Sequence, residues 1–417
     1  MRTIAWLGEV RFPVASARQG FEIVLGKMLQ PEATSSIDIK VPYLRSASVQ
    51  WSDVDTDDVK LMWASPREVS EFAVKSGDLL VCEGGDVGRA GLFTGPPGLI
   101  IQNSLHRVRP RGGNDVRFFR YALMALHGSS YLDVLCNKAT IGHLTGEKLK
   151  ALEVPLPSPE EQRRIADFLD EQTVLIDRVI ALRQRQTELE VERFEELRES
   201  VVEGDKRALR PPLINLIEQT RPINYGVLMP GPRVEDGIPL VEAGDVMRGP
   251  ICLTRLRLTE PRIEAEFKRS RLREGDLVMA IRGSVGGVQI VPGGAGVLNV
   301  TRDAARISPN PTIAVSAYVR HALSTRRAQD WLRIRITGSA VTGINIGDLR
   351  KAPVVMTDLK AQRERARELD EAEGYLADFK QFMLRGRSLL IERKQALIAA
   401  AVTGRIDVTT ARRAKAQ

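Results

Sequence analysis

The sequence predicts a mixed α/β (α+β) protein made of two similar halves, each a strand-rich domain followed by one long helix, with the two helices pairing as a coiled coil. Three observations carry this reading. Residues recur at a spacing of 200, a seven-residue apolar stripe runs without proline through the end of each half, and short apolar runs bounded by Gly and Pro fill the segments before each stripe. The size agrees: 417 residues with 43% apolar and 27% charged side chains suit two or three water-folded domains.

The repeat is the strongest of the three, because it constrains the whole architecture. Gln162-Arg163 and Leu169-Asp170-Glu171 recur as Gln362-Arg363 and Leu369-Asp370-Glu371, and Glu192-Arg193, Val202 and Gly204 recur as Glu392-Arg393, Val402 and Gly404. With small slips the match extends upstream, Arg120 to Arg320, Gly77-Asp78-Leu79 to Gly275-Asp276-Leu277, and Pro42 to Pro239.

Taken in order, residues 1–157 read as the first strand-rich domain, with runs such as Leu79-Leu80-Val81-Cys82 between turns. Pro155, Pro157 and Ser158-Pro159 close it and open a helix over residues 158–205. Phe168, Leu175, Leu182 and Leu189 keep the heptad interval there, joined by Val179. Residues 206–357 repeat the domain, and Thr357-Asp358 offers an N-cap for a second helix over 358–406. Leu369, Leu376, Met383, Leu390 and Leu397 form its stripe, with Gly374 and Gly386 as weak points. At 1.5 Å rise per residue each helix is a rod of roughly 65 Å whose stripe needs a partner. A basic tail, 407–417, ends the chain.

Charge divides by domain. The chain carries net +8, yet residues 159–203 hold 7 basic and 13 acidic groups and residues 359–403 hold 9 and 7, which leaves net +12 on the remainder. A surplus confined to the globular halves is what a phosphate-binding surface requires. No run approaches a bilayer span, and no cleavable leader pattern opens the chain, so a cytoplasmic protein is expected. Cys82, Cys136 and Cys252 are odd in number and far apart, which predicts small buried residues in a reducing compartment rather than disulfides or a zinc site.

The segment Leu152-Glu153-Val154-Pro155-Leu156-Pro157-Ser158-Pro159-Glu160-Glu161-Gln162-Arg163-Arg164-Ile165-Ala166-Asp167-Phe168-Leu169-Asp170 resembles the specificity subunits of type I restriction-modification systems, as do its degenerate copy from Lys351 to Asp370, Glu392-Arg393-Lys394-Gln395-Ala396-Leu397-Ile398 with Val402-Thr403-Gly404, Tyr43-Leu44-Arg45 with Val49, and Gly84-Gly85-Asp86-Val87-Gly88-Arg89. The resemblance covers nearly the whole chain. It implies two target-recognition domains, each reading one half of a split double-stranded DNA sequence, on an antiparallel coiled coil with pseudo-twofold symmetry. It implies two methyltransferase subunits and restriction (translocase/nuclease) subunits as partners. No cofactor is expected in this chain, and S-adenosylmethionine, ATP and Mg belong to those partners. The Pro-rich entry of the family is replaced by Met356-Thr357-Asp358 in the second half, and Gly374 interrupts the helix there, which leaves the spacer length open.

Sequence is read by side chains at base edges, with Arg favouring guanine and Asn adenine, while other Arg, Lys and Ser groups hold phosphates. The candidates therefore lie in turns: Arg45, Ser48, Arg89, Asn103, Lys138, Thr140 and His143 in the first domain, and Arg282, Ser284, Thr301, Arg302, Arg335 and Asn345 in the second. An ordinary solvated Arg or a turn-closing Asn is the competing account of each. No second His stands at metal-ligand spacing from His143, and Trp51, Trp63 and Trp331 are expected in the core or facing a partner.

Catalytic signatures are missing. The sequence has no phosphate loop of the G-x-x-x-x-G-K-[ST] type and no cofactor-binding glycine fingerprint. Asn310-Pro311-Thr312-Ile313 departs from the amino-methyltransferase tetrapeptide at its last two positions. A non-catalytic DNA-recognition subunit is the leading reading; a coiled-coil scaffold binding protein or RNA, and an unrecognised enzyme, are the alternatives.

Overall fold

The computed structural model describes residues 2–4, 7–129, 131–136, 142–205, 207–337 and 342–409. Two long helices, Pro159–Glu203 and Leu359–Val402, follow the two strand-rich segments, and both run unbroken. The predicted caps hold: Ser158 Oγ accepts from the Glu161 N–H, and Asp358 Oδ1 accepts from the Ala361 N–H. By contacts the chain divides into two compact units, Met1–Arg183 with Leu384–Gln417, and Gln184–Met383. Each unit thus joins one globular segment to the start of its own helix and the end of the other.

In the first unit a four-stranded antiparallel sheet has the order Phe21–Leu25, Leu105–Pro110, Leu79–Cys82, Ala90–Leu92. All four residues of Leu79–Cys82 are buried, as a central strand covered on both faces must be. A second sheet sets Ile39–Leu44 between Lys60–Ala64, antiparallel, and Ile100–Ile101, parallel. The helix Val116–His127 covers one face, with Phe119 stacked on Phe21 at 4.5 Å.

The second unit repeats this topology. Its four-stranded sheet runs Asn224–Tyr225, Ala304–Ile307, Leu277–Ala280, Val288–Ile290, and its three-stranded sheet sets Ile238–Val241 between Arg257–Thr259 and Asn299–Val300. Pro42 and Pro239 occupy equivalent places in the antiparallel pairings of these second sheets. Gly26 and Gly226 mark the same close approach in both units, since a Cβ at either would collide with a backbone carbonyl of the neighbouring strand segment.

The repeat persists atom by atom where each helix begins. Buried Gln162 accepts from the Asp115 N–H and donates to Pro157 O; buried Gln362 accepts from the Val315 N–H and donates to Thr357 O. Arg120 donates to Asp170 and Arg320 to Asp370. Tyr121 Oη donates to Asp170 at 2.6 Å, and at the equivalent place stands His321, with Nε2 2.9 Å from Asp370. Burial and the adjacent Arg320 guanidinium hold the His321 imidazole down to about 4. Although His321, Asp370 and Glu373 lie close enough to share a metal, Arg320 donates to both carboxylates and fills the role a cation would take.

Within each unit the two helices run antiparallel. In the first, Ile165 and Leu169 share a core with Ile398, Ala401 and Val402, Asp177 pairs with Lys394 at 2.6 Å, and Arg183 lies over Gly386. In the second, Leu197 and Val202 join Ala366 and Leu369. The expected stripe is only partly the seam. Phe168, Leu369, Leu376 and Met383 are buried and Leu390 and Leu397 half-buried, but Leu175, Val179, Leu182 and Leu189 are exposed by 40% or more. On the first helix the heptad interval is kept at the neighbouring positions instead, through Leu169, Thr173, Ile176, Ile180, Arg183 and Thr187, all buried or half-buried. Period fixes which residues share a face, whereas the packing partner fixes which face turns inward.

The remaining expectations divide. Cys82 and Cys136 are buried, but Cys252 is exposed, because it lies on a surface turn before the short Leu253–Arg255 helix. Trp51 and Trp331 pack against the cores of their units, and Lys40 lies over Trp63. No helix among the described residues is long and apolar enough to cross a membrane.

Candidate nucleic-acid interface

In each unit described sequence-predicted residues lie at one end of the four-stranded sheet, where the Leu79–Cys82 or Leu277–Ala280 strand gives way to a glycine-rich turn. In the first unit this turn is Glu83 to Arg89. Its shape is set by positive φ at Gly85 and Gly88, 77° and 81°, and by Gly88 N–H donating to Cys82 O. Asp86 is the hub: it accepts from Arg89 at 3.2 Å and lies 2.8 Å from His127 Nε2. Arg89 also donates from Nη2 to Ser46 O, tying this turn to the Ser46–Ser48 turn, whose Ser46 N–H donates to Ser104 Oγ. Asn103 closes the third turn through its N–H to Lys27 O. His143 stands exposed beside Gly84, and Leu144 N–H donates to Glu83 O.

These contacts sort the candidates. Ser48 is buried with its hydroxyl accepting from the Arg45 N–H, and Arg89 is committed to Asp86 and Ser46, so both shape the turns. Arg45 pairs with exposed Asp58 at 2.5 Å, a contact that solvent screening keeps weak. Lys138 and Thr140 lie outside the described residues. Asp86, His127, Ser46 and Ser104 were absent from the sequence candidates, and only the Gly-Gly-Asp context of Asp86 signals a role in advance.

The second unit builds the same end from Ile281 to Ser284, Thr301 to Asp303, and Thr342 to Asn345. Asp303 O accepts from the Ile281 and Arg282 N–H groups, Gly283 N–H donates to Thr342 O, and Ile344 N–H donates to Ile281 O. Thr301 is buried, its hydroxyl bonded to Asp303 and directed at Val241 O, so it positions the turn from inside. Asn345 caps the helix Ile346–Leu349, accepting from the Asp348 N–H at 2.8 Å, which is the turn-closing role. Arg335 lies 3.8 Å over the Trp331 ring and donates to Trp331 O. Arg282, Ser284 and Arg302 are exposed, and neither arginine forms an ion pair with a described residue. Unpaired guanidiniums on backbone-locked turns keep their hydrogen-bonding fork for an external acceptor. Elsewhere, Asn310 spends its side-chain oxygen on a local turn with Thr312.

The two heads share one topology and each ends in locked turns carrying Arg and Ser, and residues 21–193 match the family model described as Type I restriction modification DNA specificity domain. The chain is similar to specificity subunits of type I restriction-modification systems. It is 28% identical over 353 residues to the type I restriction enzyme EcoBI specificity subunit of Escherichia coli, spanning 79% of this chain and 73% of that one. A second relative, the MjaIX specificity subunit of Methanocaldococcus jannaschii, is 28% identical over 131 residues, 30% of this chain and 29% of that one. The fold matches a chain from a study of complex assembly and conformational transition of the type I R-M system, with TM-score 0.71, 15% identity, and coverage of 95% of this chain and 100% of that chain. It also matches the HsdS subunit from Thermoanaerobacter tengcongensis, with TM-score 0.53, 16% identity, and coverage of 93% and 97%.

Proposed function

We propose that this chain reads a bipartite, asymmetric duplex DNA target, one half through each globular segment, and leaves the chemistry to methyltransferase and restriction subunits that hold the S-adenosylmethionine, ATP and Mg. The observation that carries the reading is the duplicated set of locked turns at equivalent ends of the two sheets, bearing different side chains: Arg45 and His143 in one, Arg282, Ser284 and Arg302 in the other. Similar frames with dissimilar tips suit two half-sites of different sequence. Asn103 and Arg335 stand at the edges of these turns. Ser48, Arg89, Thr301 and Asn345 are positioning residues that hold the tips in place.

Docking is supported by the apolar residues the seam leaves out. The helical part of the first unit exposes Val174, Leu175, Val179, Leu182, Leu384 and Leu389, and that of the second exposes Leu189, Tyr375 and Phe382. Contiguous exposed apolar groups on a helix mark a protein contact, and the methyltransferase subunits are the partners assigned to them. Paired along their length, the helices would set the half-site separation like a ruler, and the whole would work in the cytoplasm.

The test is the double charge reversal Arg282→Glu with Arg302→Glu in the complex assembled with its methyltransferase. Duplex affinity is expected to fall by about tenfold or more, with methylation lost at the target while subunit assembly is retained. Unchanged duplex binding would remove these turns from the interface and favour the scaffold reading.

A further inference from the structure

The four-stranded sheet of the second unit has another end, and it is built differently from its counterpart. There a cleft of 720 Å³ is lined by Lys268, Arg269, Arg273, Arg306 and Arg350, none of which forms an ion pair with a described carboxylate. Two further lining arginines are neutralised: Arg221 donates twice to Asp276, at 2.8 and 2.6 Å, and Arg271 twice to Glu264, at 2.7 Å each. Five positive charges are left over in a space the size of a small-ligand site.

The cleft is distinct from the reading turns. Arg273 precedes the strand Leu277–Ala280 and Arg306 lies late on its neighbour, whereas Arg282 and Asp303 lie past the opposite ends of those strands. Four residues of strand separate the two regions by on the order of 10 Å or more.

Duplication supplies an internal control. Arg306 donates to Arg269 O and Arg271 O, just as Arg107 donates to Glu71 O and Ala73 O in the first unit. Likewise Asp276 accepts from the Arg273 N–H where Asp78 accepts from Lys75. These contacts align Ser70, Glu71, Ala73 and Lys75 with Lys268, Arg269, Arg271 and Arg273. The fold therefore does not require the cations, since the first unit makes the same backbone frame with one positive and one negative group in place of four positive ones. Arg306 itself is buried, 3% exposed, and keeps an unpartnered Nε. Burial pushes its guanidinium below the usual range, an unfavourable state that a bound anion would relieve.

We propose that this cleft is a phosphate-binding site, particular to the second unit and separate from the base-reading turns. Several uncompensated guanidiniums in a small volume match a ligand that concentrates charge, and phosphate oxygens accept the paired N–H donors of arginine. No aromatic side chain lines the cleft, so recognition rests on the phosphates and not on a stacked base. The phosphate could come from the backbone of DNA flanking the target or from a free polyphosphate.

The test is calorimetric titration of the full chain with inorganic tripolyphosphate. Saturable binding at one equivalent is expected. Affinity should drop by about tenfold or more in Arg269→Glu with Arg273→Glu, recover in the double lysine variant, and stay unchanged in Lys75→Glu of the first unit. Both altered arginines are exposed and unpaired, so the fold is expected to survive, which the melting transition verifies. Displacement of tripolyphosphate by a target duplex with long flanks, in the assembled complex, assigns the site to backbone phosphate; simultaneous binding assigns it to a free polyphosphate. Absent saturation, equal binding by the glutamate variant, or tighter binding of a polyglutamate peptide would each overturn the proposal.

Discussion

Single residues show how the duplicated frame has been retuned. The position that holds Tyr121 in one unit holds His321 in the other, both against the Asp of the long helix. Burial, with the hydrogen bond to Asp170, pushes the Tyr121 phenol up to about 12, so it stays a neutral donor at any ordinary pH. The imidazole is different: folded, it stays neutral down to about 4, while in the unfolded chain it takes up a proton near 6.5. Between those values the unfolded state binds more protons, so stability falls as pH is lowered, by up to about 1.4 kcal/mol per unit. His321→Tyr is therefore expected to flatten the loss of melting temperature between pH 7 and 5, read by calorimetry at several pH values. A second residue prediction concerns the buried glutamines: Gln162→Leu strands the Asp115 N–H and Pro157 O and should cost about 2 kcal/mol in urea denaturation. The repeat of these glutamines was legible in the sequence, but their bonds to the Asp115 and Val315 N–H groups were not, because each partner lies 47 residues away and meets the glutamine only after folding.

At the scale of the element, helix length was readable in both halves, whereas helix rotation was readable only for the second helix. Proline-rich or Thr-Asp entries and a sustained heptad predicted the two long helices, whose observed spans are 45 and 44 residues, and the second runs unbroken through Gly374, where the sequence suggests an interruption. The first helix, however, carries apolar residues at two adjacent heptad positions, and the buried one is the neighbour of the predicted stripe, so periodicity alone could not choose between those faces. The two helical glycines, equal weak points in the sequence, differ in space. A Cβ at Gly374 would point into open space, whereas one at Gly386 would meet Arg183. Gly374→Ala should stabilise by roughly 0.5–1 kcal/mol, and Gly386→Ala should gain less because Arg183 must move; urea midpoints compare them. On the exposed stripe, Leu182→Asp is expected to leave the melting transition of the chain intact and to weaken methyltransferase capture, measured by co-purification.

For the whole molecule, the modular reading makes a sharper demand. Exchanging residues 1–157 for the corresponding segment of a relative should change one half of the methylated sequence and leave the other, read by mapping modified adenines across a genome. Binding by the assembled complex should also fall steeply with salt, since phosphates neutralised by arginine release their counterions. A change in both halves, or a flat salt response, would count against DNA reading by separate heads.

The duplication, the order and length of the parts, and the turns that carry the candidate tips can all be read along the chain, because each is written in local spacing and composition. Folding alone selects the face of the first helix that is hidden, the candidates that are locked inside the turns, and the place where the cationic cleft forms. Those outcomes depend on groups brought together from distant segments, and no local period records which surfaces will meet.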